Sequence, residues 1–358
     1  MAKILIHVQH LLGTGHARRM AAIANGLAQS GHDTVLASGG MPLRLDLGRA
    51  KLVQLPAARA EDTRFKMLID AHGNPVDESW CHARAQATLD LYAAFKPDLL
   101  IVELFPLGRA LLRFELEPLV ARAGRIPKLV SIRDVPQRPA DAKVETRLAA
   151  LGDFASVLAH GDETFLPATQ SFPELARLGA GLIHTGYVAG ADQAPCGQDE
   201  IVVSVGGGAA GAKLLDASLT LAARRAHAGE RWRILTGEQS AAIAAPNDFV
   251  AVERNRPDFP GLLKGSRLSI SQAGYNTAID LLRARVPAIL VPFAESNERE
   301  QTIRAEAFAA AGLATIADEA GLTPDSLDTA IANAKSPQPH AISCEGVAAT
   351  VSIVSRWL

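Results

Sequence analysis

Two stretches of this chain open in the same way, and that repetition limits the fold more than any other feature. The first passes from an apolar strand over residues 4–8 into the loop Leu11-Leu12-Gly13-Thr14-Gly15-His16. A helix follows, with Met20, Ile23, Ala24 and Leu27 on one face, then Ser30-Gly31 and a second strand over 34–37. The second stretch passes from a strand over 201–205 into Gly206-Gly207-Gly208-Ala209-Ala210-Gly211, then an Ala/Leu-rich helix reaching about Ala228 and a strand over 232–235. Each is a β-loop-α-β start with glycines at the turn, the opening of a doubly wound sheet. Further apolar runs at 99–102, 129–132, 156–159, 249–252, 268–271 and 288–291 read as buried parallel strands between helical stretches.

The expected architecture is therefore α/β, with two Rossmann-like domains facing each other across a cleft. At roughly 150 residues per domain, 358 residues agree with two. The first is placed at 1–188 and the second at 200–335, joined by the polar, proline-containing linker AGADQAPCGQD at 189–199. After a proline-rich stretch at 335–339, Val347, Val351, Val354 and Leu358 recur at helical spacing. They predict a C-terminal amphipathic helix within 340–358.

Charge and composition exclude several classes. Lys+Arg number 36 and Asp+Glu 38, a net charge of −2, which fits neither a generally basic nucleic-acid binder nor an acidic tail. Cys81, Cys196 and Cys344 lie far apart without CxxC or Cys/His spacing, so neither a zinc site nor a disulfide framework is expected. The start, Met1-Ala2-Lys3, lacks the pattern of a signal peptide, and no window of about 18 apolar residues could span a bilayer. A cytoplasmic protein is expected.

Ligands in doubly wound domains sit beyond the carboxyl ends of the strands. Gly206, Gly208 and Gly211 satisfy G-x-G-x-x-G, but the next strand ends Leu235-Thr236-Gly237 without the acidic residue of a dinucleotide site. A phosphate cradle or a close-packed turn stays open there. The stretch SQAGYNTAID, 271–280, follows an apolar strand and opens a helix. Amides near Gly274, Tyr275 and Asn276 could meet an anion, Asn276 or Thr277 could cap the helix, and Asp280 could accept from vicinal hydroxyls. The bland alternative makes Gly274 a turn residue and Asp280 a solvated charge. His16 falls at a helix start, where the imidazolium is disfavoured; it is a candidate general base, or a residue that caps or packs the turn. Glu103, Arg133 and Asp134 sit at strand ends and would face the same cleft. Arg109 and Arg113, read as one turn apart on a helix, could attract an anionic acceptor or form a solvated face.

In their order, these motifs resemble glycosyltransferases of family 28, which have the GT-B fold. VQHLLGTGHARR at 8–19, SGGMP at 38–42, SQAGYNTAIDLLRARVPAILVPF at 271–293 and the later EREQ with AFAAAGLA carry the resemblance. It implies that Gly15, Gly206, Gly207, Gly208, Gly274, Tyr275 and Asn276 hold a donor diphosphate and that Asp280 meets the ribose. Glu300 and Gln301 would contact the donor sugar, and Arg256 and Phe259 mark the nucleobase region. His16 and Glu103 would be catalytic, with Arg133 and Asp134 on the acceptor side. Asp280 replaces a usual glutamate, and the loop before His16 is short, as in a related nucleotide-sugar hydrolase.

The implied function is inverting, metal-independent transfer of a sugar from a nucleoside diphosphate, with UDP as the expected nucleotide, to an acceptor hydroxyl. No cofactor is called for beyond that substrate. Hydrolysis or epimerisation of a UDP-sugar, an NAD(P)-dependent oxidoreductase and a non-catalytic nucleotide-sugar sensor are the alternatives. The acceptor could be a small molecule, a glycan or lipid-linked. Leu11-Leu12 and Phe105-Pro106-Leu107 could give peripheral contact with the inner face of a membrane.

Overall fold

The computed structural model describes residues 1–62, 65–206, 211–225, 230–237, 242–293 and 299–358. The chain divides into two compact units, one made of Met1–Gly190 with Ser343–Leu358, the other of Ala191–Ile342. Predicted features that fall on Gly207 and Gly208 lie outside the described residues.

The first unit runs β1 (Lys3–Val8), α1 (Gly15–Gln29), β2 (Asp33–Ser38), β3 (Lys51–Gln54), β4 (Ala58–Ala60), β5 (Leu68–Asp70), α2 (Glu78–Phe95) and β6 (Leu99–Glu103). It continues with α3 (Arg113–Ala123), β7 (Lys128–Arg133), α4 (Asp141–Ala150), β8 (Ser156–His160) and β9 (Leu182–His184). Among the described residues its main sheet is seven-stranded, in the order β3-β2-β1-β6-β7-β8-β9, and every pairing in it is parallel. Alternate residues of β1 feed opposite layers, as strand geometry requires. Ile4, Ile6 and Val8 pack with Met20, Ile23, Ala24 and Leu27 of α1. Leu5 packs on the other face with Leu116 and Leu119 of α3. The β4–β5 hairpin is antiparallel and was not foreseen, because its three-residue strands are too short for a period.

The second unit contains β10 (Ile201–Ser204), α5 (Ala212–Arg225), β11 (Trp232–Thr236), β12 (Val250–Arg254), α6 (Phe259–Lys264) and β13 (Leu268–Ser271). Then come α7 (Tyr275–Ala284), β14 (Ala288–Leu290), α8 (Glu300–Ala310), β15 (Thr315–Ile316) and α9 (Pro324–Ala332). Its described sheet is six-stranded and parallel, ordered β12-β11-β10-β13-β14-β15. Numbered within the unit this is 3-2-1-4-5-6, the doubly wound order. The order reverses between β10 and β13, and in the first unit between β1 and β6.

The last helix, α10 (Gly346–Ser355), returns to the first unit. It is shorter than the predicted apolar stripe: Leu358 lies beyond its end and is 46% exposed, while Ile353 and Val354 are buried in its place. Val347 and Val351 pack against the α1 layer. The contact depends on Gly26, where an added Cβ would come within 2.3 Å of Val347 Cγ1.

Gly26→Ala would gain about 1 kcal/mol of helix propensity. Overpacking a fixed interface costs about 1–3 kcal/mol, so the clash should win. The expected result is a lower urea midpoint for Gly26→Ala, with recovery when Val347→Ala is added. An unchanged or raised midpoint for the single variant would show that α10 yields freely.

Candidate functional site

In the first unit the strand order reverses between β1 and β6, which pair in register from Ile4↔Leu99 to His7↔Val102. The loop after β1 leads into α1, whose second residue is His16; β6 ends on Glu103. The two side chains meet there. His16 Nδ1 lies 2.5 Å from Glu103 Oε1. The same oxygen accepts from Arg19 Nη2 at 2.9 Å. Glu103 Oε2 accepts from Arg109 Nε at 3.2 Å and Nη2 at 2.9 Å. Glu103 has no exposed side-chain surface, Arg19 1% and Arg109 8%, whereas His16 keeps 15%.

Burial alone would raise the Glu103 carboxyl, but Arg109, His16 and Arg19 more than reverse that and hold it well below the carboxylate range. An ionised Glu103 accepts the Nδ1–H of His16, which leaves Nε2 carrying a lone pair. Burial, and behind it the charges of Arg109 and Arg133 against that of Glu103, lowers the imidazole to about 3. The sequence attributes a neutral His16 to the helix start; the structure adds burial, with the charges of Arg109 and Arg133 acting in the same direction. Glu103 touches His16 rather than solvent, so it is a positioning residue.

Arg109 is not on a helix with Arg113, as the spacing suggests. It precedes a short 3-10 turn in a left-handed conformation, φ 58°. Leu104, at the other end of the same connection, has φ 65°. Such conformations are costly for residues with a Cβ and persist only where surrounding contacts fix them. Here the connection returns Arg109 to Glu103, and Arg147 Nη1 holds its Pro106 carbonyl at 2.6 Å. Arg113 instead pairs with Glu117 on the surface at 3.2 Å. Asp134 is buried, its carboxylate accepting from the Val135 amide at 2.9 Å and the Tyr187 hydroxyl at 3.2 Å. That is an internal brace, not a group presented to an acceptor. Arg133 ends β7 half-buried and acts on His16 through its charge.

Other buried polar groups support this end of the sheet and were missed in the sequence. His160 bridges Ser131 Oγ at 2.9 Å and Thr185 Oγ1 at 2.8 Å. Arg84, on α2, pairs with Glu115 through Nε at 2.8 Å and Nη2 at 2.9 Å, and donates to the carbonyls of Gly39 and Pro56. Both networks join residues 25 or more apart in sequence, which no local pattern reports.

In the second unit the reversal lies between β10 and β13. Gly206, after β10, has φ 74°. Gly274 is the N-cap of α7, with extended backbone and no side-chain cap, so neither Asn276 nor Thr277 plays that part. Among the described residues, a Cβ on Gly274 would meet nothing within 4 Å. The first helical bond runs from the Ala278 amide to the Gly274 carbonyl at 3.0 Å. The amides of Asn276 and Thr277 therefore have no acceptor within the helix and point from its positive end. Gln272 lies beside both Gly206 and Gly211: an added Cβ would come within 2.9 Å of its Oε1 at the first and 3.4 Å of its Nε2 at the second. Behind the turn, fully buried Arg304 donates from Nη1 to the Ala273 carbonyl at 2.6 Å and from Nη2 to Glu300 at 2.7 Å. Its guanidinium lies 5.8 Å from the centre of the buried Tyr275 ring.

Residues 202–345 match the model of the glycosyltransferase family 28 C-terminal domain. A UDP-N-acetylglucosamine–N-acetylmuramyl-(pentapeptide) pyrophosphoryl-undecaprenol N-acetylglucosamine transferase of Gloeothece citriformis is 38% identical over 71 residues, 20% of each chain. Its counterpart in Synechococcus elongatus is 32% identical over 148 residues, 38% of this chain and 39% of the relative. The chain thus matches between a fifth and two fifths of the length of these relatives. Among solved structures, the calicheamicin glycosyltransferase superimposes with a TM-score of 0.62 at 18% identity, covering 100% of this chain and 95% of that one. MurG of Acinetobacter baumannii gives 0.56 at 16% identity, covering 98% and 94%. Residues 202–345 thus resemble family 28, and the whole chain has the GT-B fold.

Within the family 28-like domain, Asp280 is half-buried one helical turn beyond Asn276 on the same face of α7. Glu300, expected to face a sugar, is paired with Arg304. Gln301 Oε1 accepts from the Phe293 amide at 3.1 Å, so its N–H₂ is the end left to donate. Arg256 is occupied: Asp258 accepts from its Nε and Nη2 at 2.6 and 2.5 Å, and Glu253 from its Nη1 at 3.0 Å. It offers no free edge for a base. Phe259 begins α6 half-buried.

The buried histidines of the first unit predict acid sensitivity. Burial, with Arg109, lowers His10 to about 4; His16 lies at about 3; burial takes His160 well below its ordinary 6.5. Below pH 6.5 the unfolded chain binds protons that the native fold refuses, so stability falls as pH falls. The slope approaches about 1.4 kcal/mol per pH unit for each such group. A urea midpoint lower at pH 5 than at pH 7 is expected, with hydrogen exchange placing the loss in β1, β6 and β8. Equal midpoints would show that these imidazoles titrate normally.

Proposed function

We propose that the chain is a glycosyltransferase that moves a sugar from a nucleoside diphosphate, UDP, to an acceptor hydroxyl, with inversion and without a metal. The observation that carries this reading is the His16–Glu103 bond, which fixes one ring nitrogen as donor and leaves the other as proton acceptor. The family 28 match on the second unit supports a nucleotide-sugar donor there. The relatives' names specify a UDP-linked N-acetylglucosamine donor and a pyrophosphoryl-undecaprenol acceptor, and the UDP donor is adopted here.

In this mechanism the acceptor hydroxyl gives its proton to His16 Nε2 while its oxygen bonds to the anomeric carbon. The bond from that carbon to the diphosphate oxygen breaks on the opposite side, which inverts the centre. Because burial, with the charges of Arg109 and Arg133, weakens the base, the proton leaves as the new C–O bond forms, when the hydroxyl is most acidic. The imidazolium that results is paired with Glu103. Charge developing on the diphosphate is met by the first-turn amides of α7 and the turn at Gly206. Among the described residues no helix is long and apolar enough to cross a membrane. A polyprenyl-linked acceptor would require peripheral contact with the inner membrane face.

Water could give its proton to the same Nε2, so hydrolysis is the competing outcome. Incubating the protein with UDP-sugars and no acceptor separates the two, since release of UDP then reports hydrolysis alone. His16→Ala should lower kcat by about 10²–10⁴-fold, the usual worth of a general base, with UDP affinity unchanged. Full turnover by His16→Ala would overturn the base assignment.

A further inference from the structure

Arg84, on α2, is fully buried, and each N–H of its guanidinium has an acceptor. Nε and one Nη2 proton go to the two oxygens of Glu115, and Nη1 donates to the carbonyls of Gly39 and Pro56. The other Nη2 proton goes to Gln9 Oε1 at 3.1 Å. Gln9 follows β1 and is itself buried. A donor at its Oε1 fixes which way its carboxamide is turned. Its Nε2 therefore faces the carbonyls of His10 and Ala58 and donates to both at 2.8 Å. Ala58 begins β4, and two residues on, the Ala60 amide donates to the Leu11 carbonyl at 3.2 Å. The consecutive carbonyls of His10 and Leu11 are thus both held, one by Gln9 and one by the strand that Gln9 binds. Through these residues β1 passes into the loop that carries His16. The SGGMP stretch at 38–42 fits the same arrangement. A Cβ at Gly39 would overlap Arg84 Nη2 and Gln9 Oε1, and one at Gly40 would overlap the His10 ring.

We propose that Arg84 and Gln9 are positioning residues for His16, acting through the backbone of the β1–α1 loop. Arg84 and Glu115 form a neutral pair, so the action is geometric, unlike that of the charges of Arg109 and Arg133. A buried ion pair can often be replaced by apolar groups at little cost in stability. No apolar group, however, would turn the Gln9 carboxamide towards the loop. Lysine would not serve either, since its N–H groups leave one point rather than a fork. The alignment that His16 needs is narrow. Its partner Glu103 is fixed by Arg19 and Arg109, so a displaced loop stretches the His16–Glu103 bond rather than carrying both groups along. The consequence for turnover rests on the reading of His16 as the base; the positioning does not, and it is measured directly.

Solvent exchange of the His16 ring N–H, followed by NMR of the full chain with isotope-labelled histidine, tests it on wild type, Gln9→Met and Gln9→Glu. The signal is identified by its loss in His16→Ala. The His160 ring N–H, held between Ser131 and Thr185 away from the loop, is the internal control. Methionine keeps the length of Gln9 and removes both bonds to carbonyls. Glutamate keeps the acceptor for Arg84 but sets a carboxylate oxygen against the same two carbonyls. In both variants the His16 N–H should exchange about tenfold faster, the worth of one hydrogen bond, with His160 unchanged. Because Gln9→Glu retains the Arg84 contact, it decides the matter where Gln9→Met does not fold. Unchanged His16 exchange in a folded variant overturns the proposal and leaves the base reading intact. So does parallel loss of the His16 and His160 signals in both variants, which marks a structural role. A wild type without a protected His16 N–H removes the His16–Glu103 bond, and the base reading and this proposal with it.

Discussion

A carboxylate that cannot reach water must be surrounded by donors or give up its charge, and Glu103 is surrounded. Its two oxygens accept from Arg19, Arg109 and His16. Removing a carboxylate from water costs several kcal/mol even after relaxation, so these contacts fix much around them. They fix the start of α1, since both His16 and Arg19 belong to its first turns. They fix the left-handed residues Leu104 and Arg109, which no local preference would select. They also set the charge state of the site. Burial, opposed by Glu103 and aided by the charges of Arg109 and Arg133, keeps the His16 imidazole neutral.

The second unit meets a different demand with the same topology. Its candidate ligand is an anion, and the candidate position is the helix start at Gly274. Arg304 stands behind it, fully buried, drawing the Ala273 carbonyl out of the turn and balanced by Glu300. On the proposed reading, one guanidinium and a row of amides take the part that a patch of surface lysines plays in more basic proteins. That is compatible with a chain whose net charge is only −2.

What could be read from the sequence follows from what local patterns encode. Parallel strands buried on both faces are apolar runs, so β1, β6, β7, β8, β10 and β13 announced themselves. Glycines at strand ends marked both reversal points, and His16 stood out by following one of them. Pairing across the fold was not legible. Glu103 and Arg19 are 84 residues apart, and Arg304 reaches Ala273 across 31. The sequence ranked Arg256 as a base contact because it could not show the two carboxylates that take its guanidinium. It assigned a cap to Asn276 or Thr277 because it could not show that the backbone turns one step earlier, at Gly274. Where α10 packs was undetermined for the same reason: Gly26 and Val347 fit each other from opposite ends of the chain.

The two reversal points also explain why one fold, used twice, should serve two roles. A helix that begins beside the end of a strand has its positive end at the same place in both units, and either could hold an anion. In the first unit the protein supplies that anion itself. Glu103 ends the neighbouring strand and accepts from the second residue of α1, so a phosphate at Gly15 would meet a carboxylate already in place. In the second unit the strand beside β10 ends in Ser271, which is neutral, and the buried Arg304 guanidinium donates to the Ala273 carbonyl two residues on. On the proposed reading, a diphosphate is therefore better placed at Gly274 than at Gly15. On that reading, a carboxylate in place of a neutral residue at one strand end is what separates a site that orients a base from a site that holds an anion.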